Sequence, residues 1–179
     1  MSQVQQQFFP DSSRPEILVD LWFPEGTPFK ANEKITQAVE KRLLQEEGVE
    51  TVSTWIGSGV PRFYLPLDQV FPQTNVSQLI LVPKDLKRRE ALRLALPNML
   101  AQEFPEARAR VKLLPNGPPV PYPVQFRVMG PDPVQLRVYA DEVKAAMRAS
   151  PSTRGTNDNW NENVKVIRLD VDQARSEEH

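Results

Sequence analysis

Two spacings of hydrophobic residues follow each other along the first part of the chain. Alternation of apolar and polar residues, typical of a strand with one buried face, occurs in residues 16–23, 49–56, 78–82 and 108–114. Helical spacing of apolar residues occupies residues 28–47 and 86–104 between them. The order strand, helix, strand, strand, helix, strand predicts an α+β, ferredoxin-like unit. In this split βαβ fold an antiparallel sheet carries both helices on one face.

Proline and glycine mark where these elements begin and end. Thr27 before Pro28 predicts the cap and first turn of the first helix, and Gly48 predicts its end. Pro97 lies inside the second helix, so we expect that helix to bend or split. Residues 57–76 carry several prolines and predict a long loop between the second and third strands.

A second round of elements follows a proline-rich connector at residues 116–123. Asp132 followed by Pro133 predicts the start of a third helix. Strands are predicted at residues 124–128, 153–160 and 163–171, the last with a bulge between Val166 and Ile167. A fourth helix is expected to begin near residue 172.

These patterns predict a lead-in at residues 1–13, a first subdomain at 14–115 and part of a second subdomain at 124–179. The second unit has a strand, a helix and two strands, and we expect it to be incomplete because a last strand and helix normally close such a core. We therefore predict a soluble chain cut from a longer protein. An incomplete sheet exposes an edge, so the isolated chain is expected to dimerise or to exchange strands.

Composition excludes several function classes. The 179 residues contain 22 basic and 23 acidic side chains, and this balance argues against a nucleic-acid partner. With 0 Cys and 1 His, at the C-terminus, the chain has no ligand set for a metal. No nucleophile has a base beside it, so we predict no enzyme activity and no cofactor. No apolar run approaches the roughly 20 residues of a membrane span.

Two features of the sequence could indicate nucleic-acid or phosphate binding, but each has a simpler explanation. Residues 84–89 contain a basic run that could bind phosphate, but Asp85 and Glu90 interleave with it, and a solvated helix face explains it. A ferredoxin-like sheet can also bind RNA when aromatic residues lie on its central strands. Residues 78–82 and 108–114 contain none.

Motifs spread over most of the chain resemble those of one transporter family. The longest, Gly57-Ser58-Gly59-Val60-Pro61-Arg62-Phe63-Tyr64-Leu65, is the most specific. The others are Phe8-Phe9-Pro10, Ser13-Arg14-Pro15-Glu16, Leu18-Val19-Asp20-Leu21, Pro24-Glu25-Gly26, Gly48-Val49-Glu50, Val124-Gln125-Phe126-Arg127-Val128, Gly130-Pro131-Asp132, Asn157-Asp158-Asn159-Trp160 and Leu169-Asp170-Val171-Asp172-Gln173. Together they are similar to the second large periplasmic loop of resistance-nodulation-division efflux transporters of the acriflavine-resistance type.

The resemblance implies that the two units are porter subdomains in the periplasmic part of an inner-membrane, proton-driven multidrug pump. In this family small-molecule substrates enter by a cleft between the two subdomains and pass a flexible glycine-rich loop. The pump is a homotrimer and works with a periplasmic adaptor protein and an outer-membrane channel. Taken without the resemblance, the residues also permit a stand-alone ferredoxin-like module that senses a ligand or binds a protein.

The glycine-rich loop provides the first candidate substrate-path residues: Gly57, Ser58, Gly59, Val60, Arg62, Phe63 and Tyr64. Its glycines permit backbone angles that a rearranging loop needs. Its aromatic rings and its arginine suit amphiphilic or anionic ligands. The alternative is a connector whose aromatic residues pack on their own sheet.

The neighbouring strands provide the other candidates and depart from the aromatic trap of well-known multidrug members. The corresponding positions are Ser53, Trp55, Ser58, Val60, Arg110, Lys112 and Leu114, of which Trp55 alone is aromatic and two are basic. One hypothesis is a more cationic pocket that favours acidic or amphiphilic substrates. The other is that Arg110 and Lys112 are the solvent-facing half of an alternating strand, with Val111 and Leu113 turned inward.

Overall fold

The computed structural model describes residues 12–118, 122 and 124–170. Within them the elements follow the predicted order. They are β1 (Ile17–Trp22), α1 (Phe29–Leu44), β2 (Val49–Ile56), β3 (Val76–Pro83), α2 (Leu86–Glu103), β4 (Arg108–Leu113) and α3 (Pro133–Arg148).

The four strands form one antiparallel sheet in the order β2-β3-β1-β4. This order is that of a ferredoxin-like unit, because each of the helices α1 and α2 connects strands that are not neighbours. The predicted α+β fold class is confirmed. Strand β1 lies at the centre between β3 and β4, and its residues Ile17–Trp22 are almost all buried.

One face of the sheet packs against α1 and α2 and forms the main hydrophobic core. Alternate residues of the strands point into it, as period-two alternation requires. Helix α1 contributes Val39 and Leu43, and α2 contributes Leu92, Leu96 and Leu100. The strands contribute Ile17, Val19, Leu21, Leu79, Leu81 and Leu113.

The helices differ from the predictions in two respects. Thr27 does not cap α1, because its hydroxyl donates to the Pro24 carbonyl at 2.6 Å and closes the preceding turn, while Pro28 occupies the cap position. Of the two predicted effects of Pro97, a bend or a split, the split is wrong, because α2 runs unbroken from Leu86 to Glu103. A proline removes one backbone hydrogen bond, and the buried leucines on both sides of Pro97 hold the helix against the sheet.

The second unit differs most from the prediction. Helix α3 begins as expected, since the Asp132 carboxylate accepts hydrogen bonds from the backbone N–H groups of Val134 and Gln135. The strands predicted at residues 124–128, 153–160 and 163–170 do not form. A strand is stable when a neighbour pairs with it and an apolar layer covers it. Among residues 12–118, 122 and 124–170, Val166 and Ile167 have neither, and they are 81% and 92% exposed.

Some predictions fall outside the described residues. They concern the lead-in to residue 11, parts of the connector 116–123, Val171 and the helix expected from residue 172. The boundaries of the predicted subdomains therefore stay predictions.

Candidate functional site

The face of the sheet opposite the helices carries the polar residues of the site. Strand β1 turns Leu18, Asp20 and Trp22 toward this open face, because Ile17, Val19 and Leu21 occupy the helix side. The strand register places Asp20 between Gln78 of β3 and Arg110 of β4. A carboxylate and an amide therefore lie side by side in the middle of the sheet, where water is largely excluded.

A buried chain of polar contacts crosses the open face. The backbone N–H of Val60 donates to Gln78 Oε1 at 2.8 Å, and Gln78 Nε2 donates to Asp20 Oδ1 at 2.6 Å. Lys112 Nζ lies 2.6 Å from Asp20 Oδ2. Gln78 and Asp20 are 1% and 3% exposed, so unmade contacts here would leave polar groups without water or partner. We call Val60 N–H, Gln78, Asp20 and Lys112 the polar relay.

The glycine-rich loop folds back over the open face beside the polar relay. Val60 and Leu67 of the loop are buried in a small apolar cluster with Leu18 and Leu114, and Trp55 and Tyr64 pack against it. The two arms of the loop are joined by backbone hydrogen bonds from Gly59 N to Val70 O and from Gln73 N to Gly57 O. The predicted long loop is thus a folded structure attached to the sheet.

The glycines and rings of the loop have specific neighbours. A Cβ atom at Gly59 would lie 2.7 Å from the Val70 carbonyl oxygen, so the close approach of the two loop arms requires glycine there. The Arg14 guanidinium lies over the rings of Phe63 and Tyr64, at 5.8 and 5.5 Å from their centroids. At the tip, the Arg62 guanidinium donates to the Leu65 carbonyl, and Phe63 stays 45% exposed.

A cleft of about 300 Å³ opens next to the loop on the same face of the sheet. Its floor includes Asp20, Trp22, Arg108 and Arg110, and the returning arm of the loop contributes a further wall at residues 68–73. The Arg110 guanidinium lies 4.6 Å from the centroid of the Tyr122 ring, and the Arg108 guanidinium lies 5.9 Å from the centroid of Trp22. Cations and aromatic faces thus line the cleft in pairs.

The opposite wall comes from the second unit, at residues 157–161. Asp158 shapes this wall by accepting hydrogen bonds from the backbone N–H groups of Trp160 and Asn161 and from Lys144 Nζ at 2.6 Å. Burial raises the pKa of Asp158, but Lys144 and the two backbone donors outweigh it and hold the pKa below its usual value. The pKa of Lys144 is raised by Asp141 and Asp158. Asp158 is thus charged at neutral pH and joins this wall to α3 through Lys144.

A second cavity of about 370 Å³ shares Trp22, Arg108 and residues 157, 158 and 161 with the cleft. It continues toward α3, where Arg137, Lys144 and Arg148 contribute to its lining. Two hydrogen bonds near its rim join the units, from Glu25 N to Glu162 Oε2 and from Asn161 Nδ2 to Glu25 Oε1.

The structure distributes the predicted site residues over the cleft, the loop with its apolar cluster, and the polar relay. Arg110 lines the cleft, while Val60, Leu114, Trp55 and Tyr64 belong to the apolar cluster under the loop. Gly57, Ser58 and Gly59 are half-buried at the start of the loop, and Arg62 and Phe63 are at its exposed tip. Lys112 belongs to neither alternative proposed for it, because it is partly buried and paired with Asp20.

Sequence reasoning missed Gln78 of the polar relay and several residues of the cleft: Asp20, Trp22, Arg108, Tyr122 and Asn157. A signal existed for Asp20 and Gln78, since each is a polar residue in the middle of a strand with buried residues on both sides. No comparable signal marks Tyr122, which lies between the units, or Asn157, which follows α3 in the second unit.

Within the described residues, no helix combines the length and apolar character needed to cross a membrane. A sequence model of the AcrB/AcrD/AcrF family matches residues 1–179. No curated protein matches the chain significantly.

Proposed function

Because the chain belongs to the AcrB/AcrD/AcrF family of resistance-nodulation-division efflux transporters, we propose that it forms part of the substrate path in the periplasmic region of a proton-driven pump. The first unit supplies one wall of an access cleft and the second unit supplies the other. The family is one of transporters and not of enzymes. Its general architecture supports a homotrimer that works with an adaptor protein and an outer-membrane channel.

The observation that carries this proposal is the cleft between the two units. Its volume of about 300 Å³ is at the lower end of the size of small-molecule sites. It combines the Trp22 and Tyr122 rings with arginine and asparagine side chains. Such a lining holds amphiphilic molecules without demanding one shape, which suits a path that many compounds follow.

The loop is the second part of the proposed path. Its returning arm lines the cleft at Asp68, Val70 and Gln73, and its tip exposes Phe63 and Leu65 to solvent. A substrate leaving the cleft along the sheet therefore meets the loop next. The predicted loop residues 57–64 act in this proposal by shaping that passage, and the polar relay couples the position of Val60 to the floor of the cleft.

Blocking the cleft tests the proposal in the native pump. The variant Asn157→Trp places a large ring in the wall that both cavities share. The matched control is Asn163→Trp, which carries the same substitution at an exposed residue of the same segment. Both variants are expressed in place of the native gene, and the rate at which cells lose a preloaded fluorescent dye is measured.

We expect Asn157→Trp to slow dye export to the level of cells without the gene, and Asn163→Trp to export at the native rate. Protein levels in the membrane are compared by immunoblot, so that loss of the protein is distinguished from a blocked path. Export by Asn157→Trp at the native rate would show that substrates do not use this cleft.

A further inference from the structure

We propose that the cleft selects aromatic and amphiphilic anions, and that Arg108 and Arg110 are the residues that select them. This inference rests on the proposed function of the cleft and adds its substrate class. The inference concerns which molecules bind in the cleft. It can be wrong even if the cleft is the substrate path.

Arg108 and Arg110 have the same orientation because they are two residues apart on β4. Both line the cleft. Among the described residues, neither guanidinium lies within 4 Å of a carboxylate, whereas Arg14, Arg42 and Arg89 each pair with a glutamate. The two guanidiniums therefore retain hydrogen-bond donors that a bound anion can use.

The aromatic partners of the two arginines determine the shape of ligand that fits. Arg110 lies over Tyr122 and Arg108 over Trp22, so each arginine presents its planar, charged group beside an aromatic face. A guanidinium binds a carboxylate or sulfonate through two parallel N–H groups. A ligand with a ring next to its acid group can stack on the aromatic residue and pair with the arginine at once.

The acidic residues of the cleft do not cancel this charge. Of the residues that the structure describes, three carboxylates line it, Asp20, Asp68 and Asp158. Asp20 is paired with Lys112 and Asp158 with Lys144. Within the described part of the chain, Asp68 is the one carboxylate of the lining without such a cation, and the same lining contains two arginines. The unpaired charge of the cleft is therefore positive.

This arrangement revises the cationic pocket that the sequence suggested. That hypothesis used Arg110 and Lys112, but the charge of Lys112 is taken up by Asp20 inside the sheet. The second cation of the cleft is instead Arg108, which lies two residues before Arg110 on the same face of β4. A lysine-based test would therefore report on the stability of the sheet and not on ligand selection.

Two dyes with the same ring system and opposite charge provide the test. Fluorescein carries a carboxylate and is anionic at neutral pH, whereas rhodamine 123 has a xanthene core of the same size and is cationic. Binding of each to the 179-residue chain is measured by fluorescence polarisation at moderate salt. The variants are Arg108→Gln, Arg110→Gln and both together, and Arg127→Gln is the matched control because Arg127 is exposed and outside the cleft lining.

We expect the native chain to bind fluorescein about tenfold more tightly than rhodamine 123, with each cleft variant losing about tenfold in fluorescein affinity. Rhodamine 123 binding should stay unchanged or strengthen, and Arg127→Gln should behave as the native chain. Thermal unfolding of every variant verifies that it is folded. The inference is overturned if the native chain binds fluorescein no better than rhodamine 123 or not at all, or if the cleft variants match Arg127→Gln.

The export experiment with Asn157→Trp distinguishes the two proposals. Slowed export by Asn157→Trp together with equal dye affinities would leave the path in place and remove the charge selection. Native export by Asn157→Trp would remove the path, whatever the dye affinities are.

Discussion

The two faces of the four-stranded sheet are built by the same strands but differ in what their residues do. On β1, Ile17, Val19 and Leu21 face the helices and are fully buried among other apolar side chains. Between them, Asp20 faces the other way and joins Gln78 and Lys112 in the polar relay. One strand thus supports the core with its odd positions and the candidate site with its even positions.

This difference means that substitutions on the two faces should have different consequences. A change on the helix face removes packing and lowers stability without touching the cleft. A change on the open face disturbs charges and hydrogen bonds close to the proposed substrate path. Substitutions in the core of the helix face should therefore have the largest effect on stability, and charge changes on the open face smaller ones.

Leu81→Ala on the helix face should lower the free energy of unfolding by about 3 kcal/mol, because Leu81 is fully buried and the cavity would be lined by the core. Urea unfolding followed by circular dichroism measures this. Leu65→Ala is the control, since Leu65 is 80% exposed and its loss should change stability by less than about 0.5 kcal/mol. Equal losses for the two variants would contradict the assigned core.

Asp20→Ala on the open face should cost about 2 kcal/mol, because it leaves Lys112 and the Gln78 amide without their carboxylate. Lys112 retains some contact with solvent, so the loss is smaller than for a fully buried pair. The double variant Asp20→Ala/Lys112→Ala should lose less stability than the sum of the losses in the two single variants, because either single change already breaks the pair. Strict additivity in this double-mutant cycle would show that the two charges do not interact.

Gly59→Ala should cost about 1–2 kcal/mol by forcing the loop arms apart at Val70, where a Cβ atom has no room. Ser58→Ala, at the adjacent half-buried position, is the control and should have little effect. Comparison of their urea midpoints measures the difference. If Gly59→Ala is as stable as the native chain, the loop arms are not held together as described.

The smallest predicted effect is a dependence of stability on pH. A hydrogen bond from Arg14 lowers the pKa of Glu16, and Lys144 and backbone donors lower that of Asp158. A carboxylate whose pKa is lower in the folded state stabilises the fold above its unfolded pKa. This contribution is lost as pH falls below about 4. Melting temperatures of the native chain and Glu16→Gln should therefore converge below that pH, and a constant difference would contradict the assignment.

The sequence predicted the local structure of the first unit well because its elements depend on short-range spacing. The four strands and two helices of the first unit follow from alternation and helical periodicity, and in the second unit the start of α3 follows from its cap residue Asp132. The contacts of the open face were harder to predict, because Lys112 and Asp20 come together only through the pairing of β1 with β4. Local sequence patterns cannot identify partners that lie so far apart along the chain. In the second unit the local pattern was present but the predicted strands did not form, because alternation alone does not make a strand without a neighbour.

Photo-crosslinking tests the central claim, that small molecules pass through the cleft between the units. A benzoylphenylalanine is introduced at position 157, in the cleft wall, or at position 163, which is exposed outside it, in the native pump. Cells exporting a fluorescent dye are then illuminated, and the purified protein is examined for covalently attached dye. We predict labelling at position 157 that an excess of competing substrate abolishes, and none at position 163. Equal labelling at both positions, or none at 157, would contradict a substrate path through this cleft.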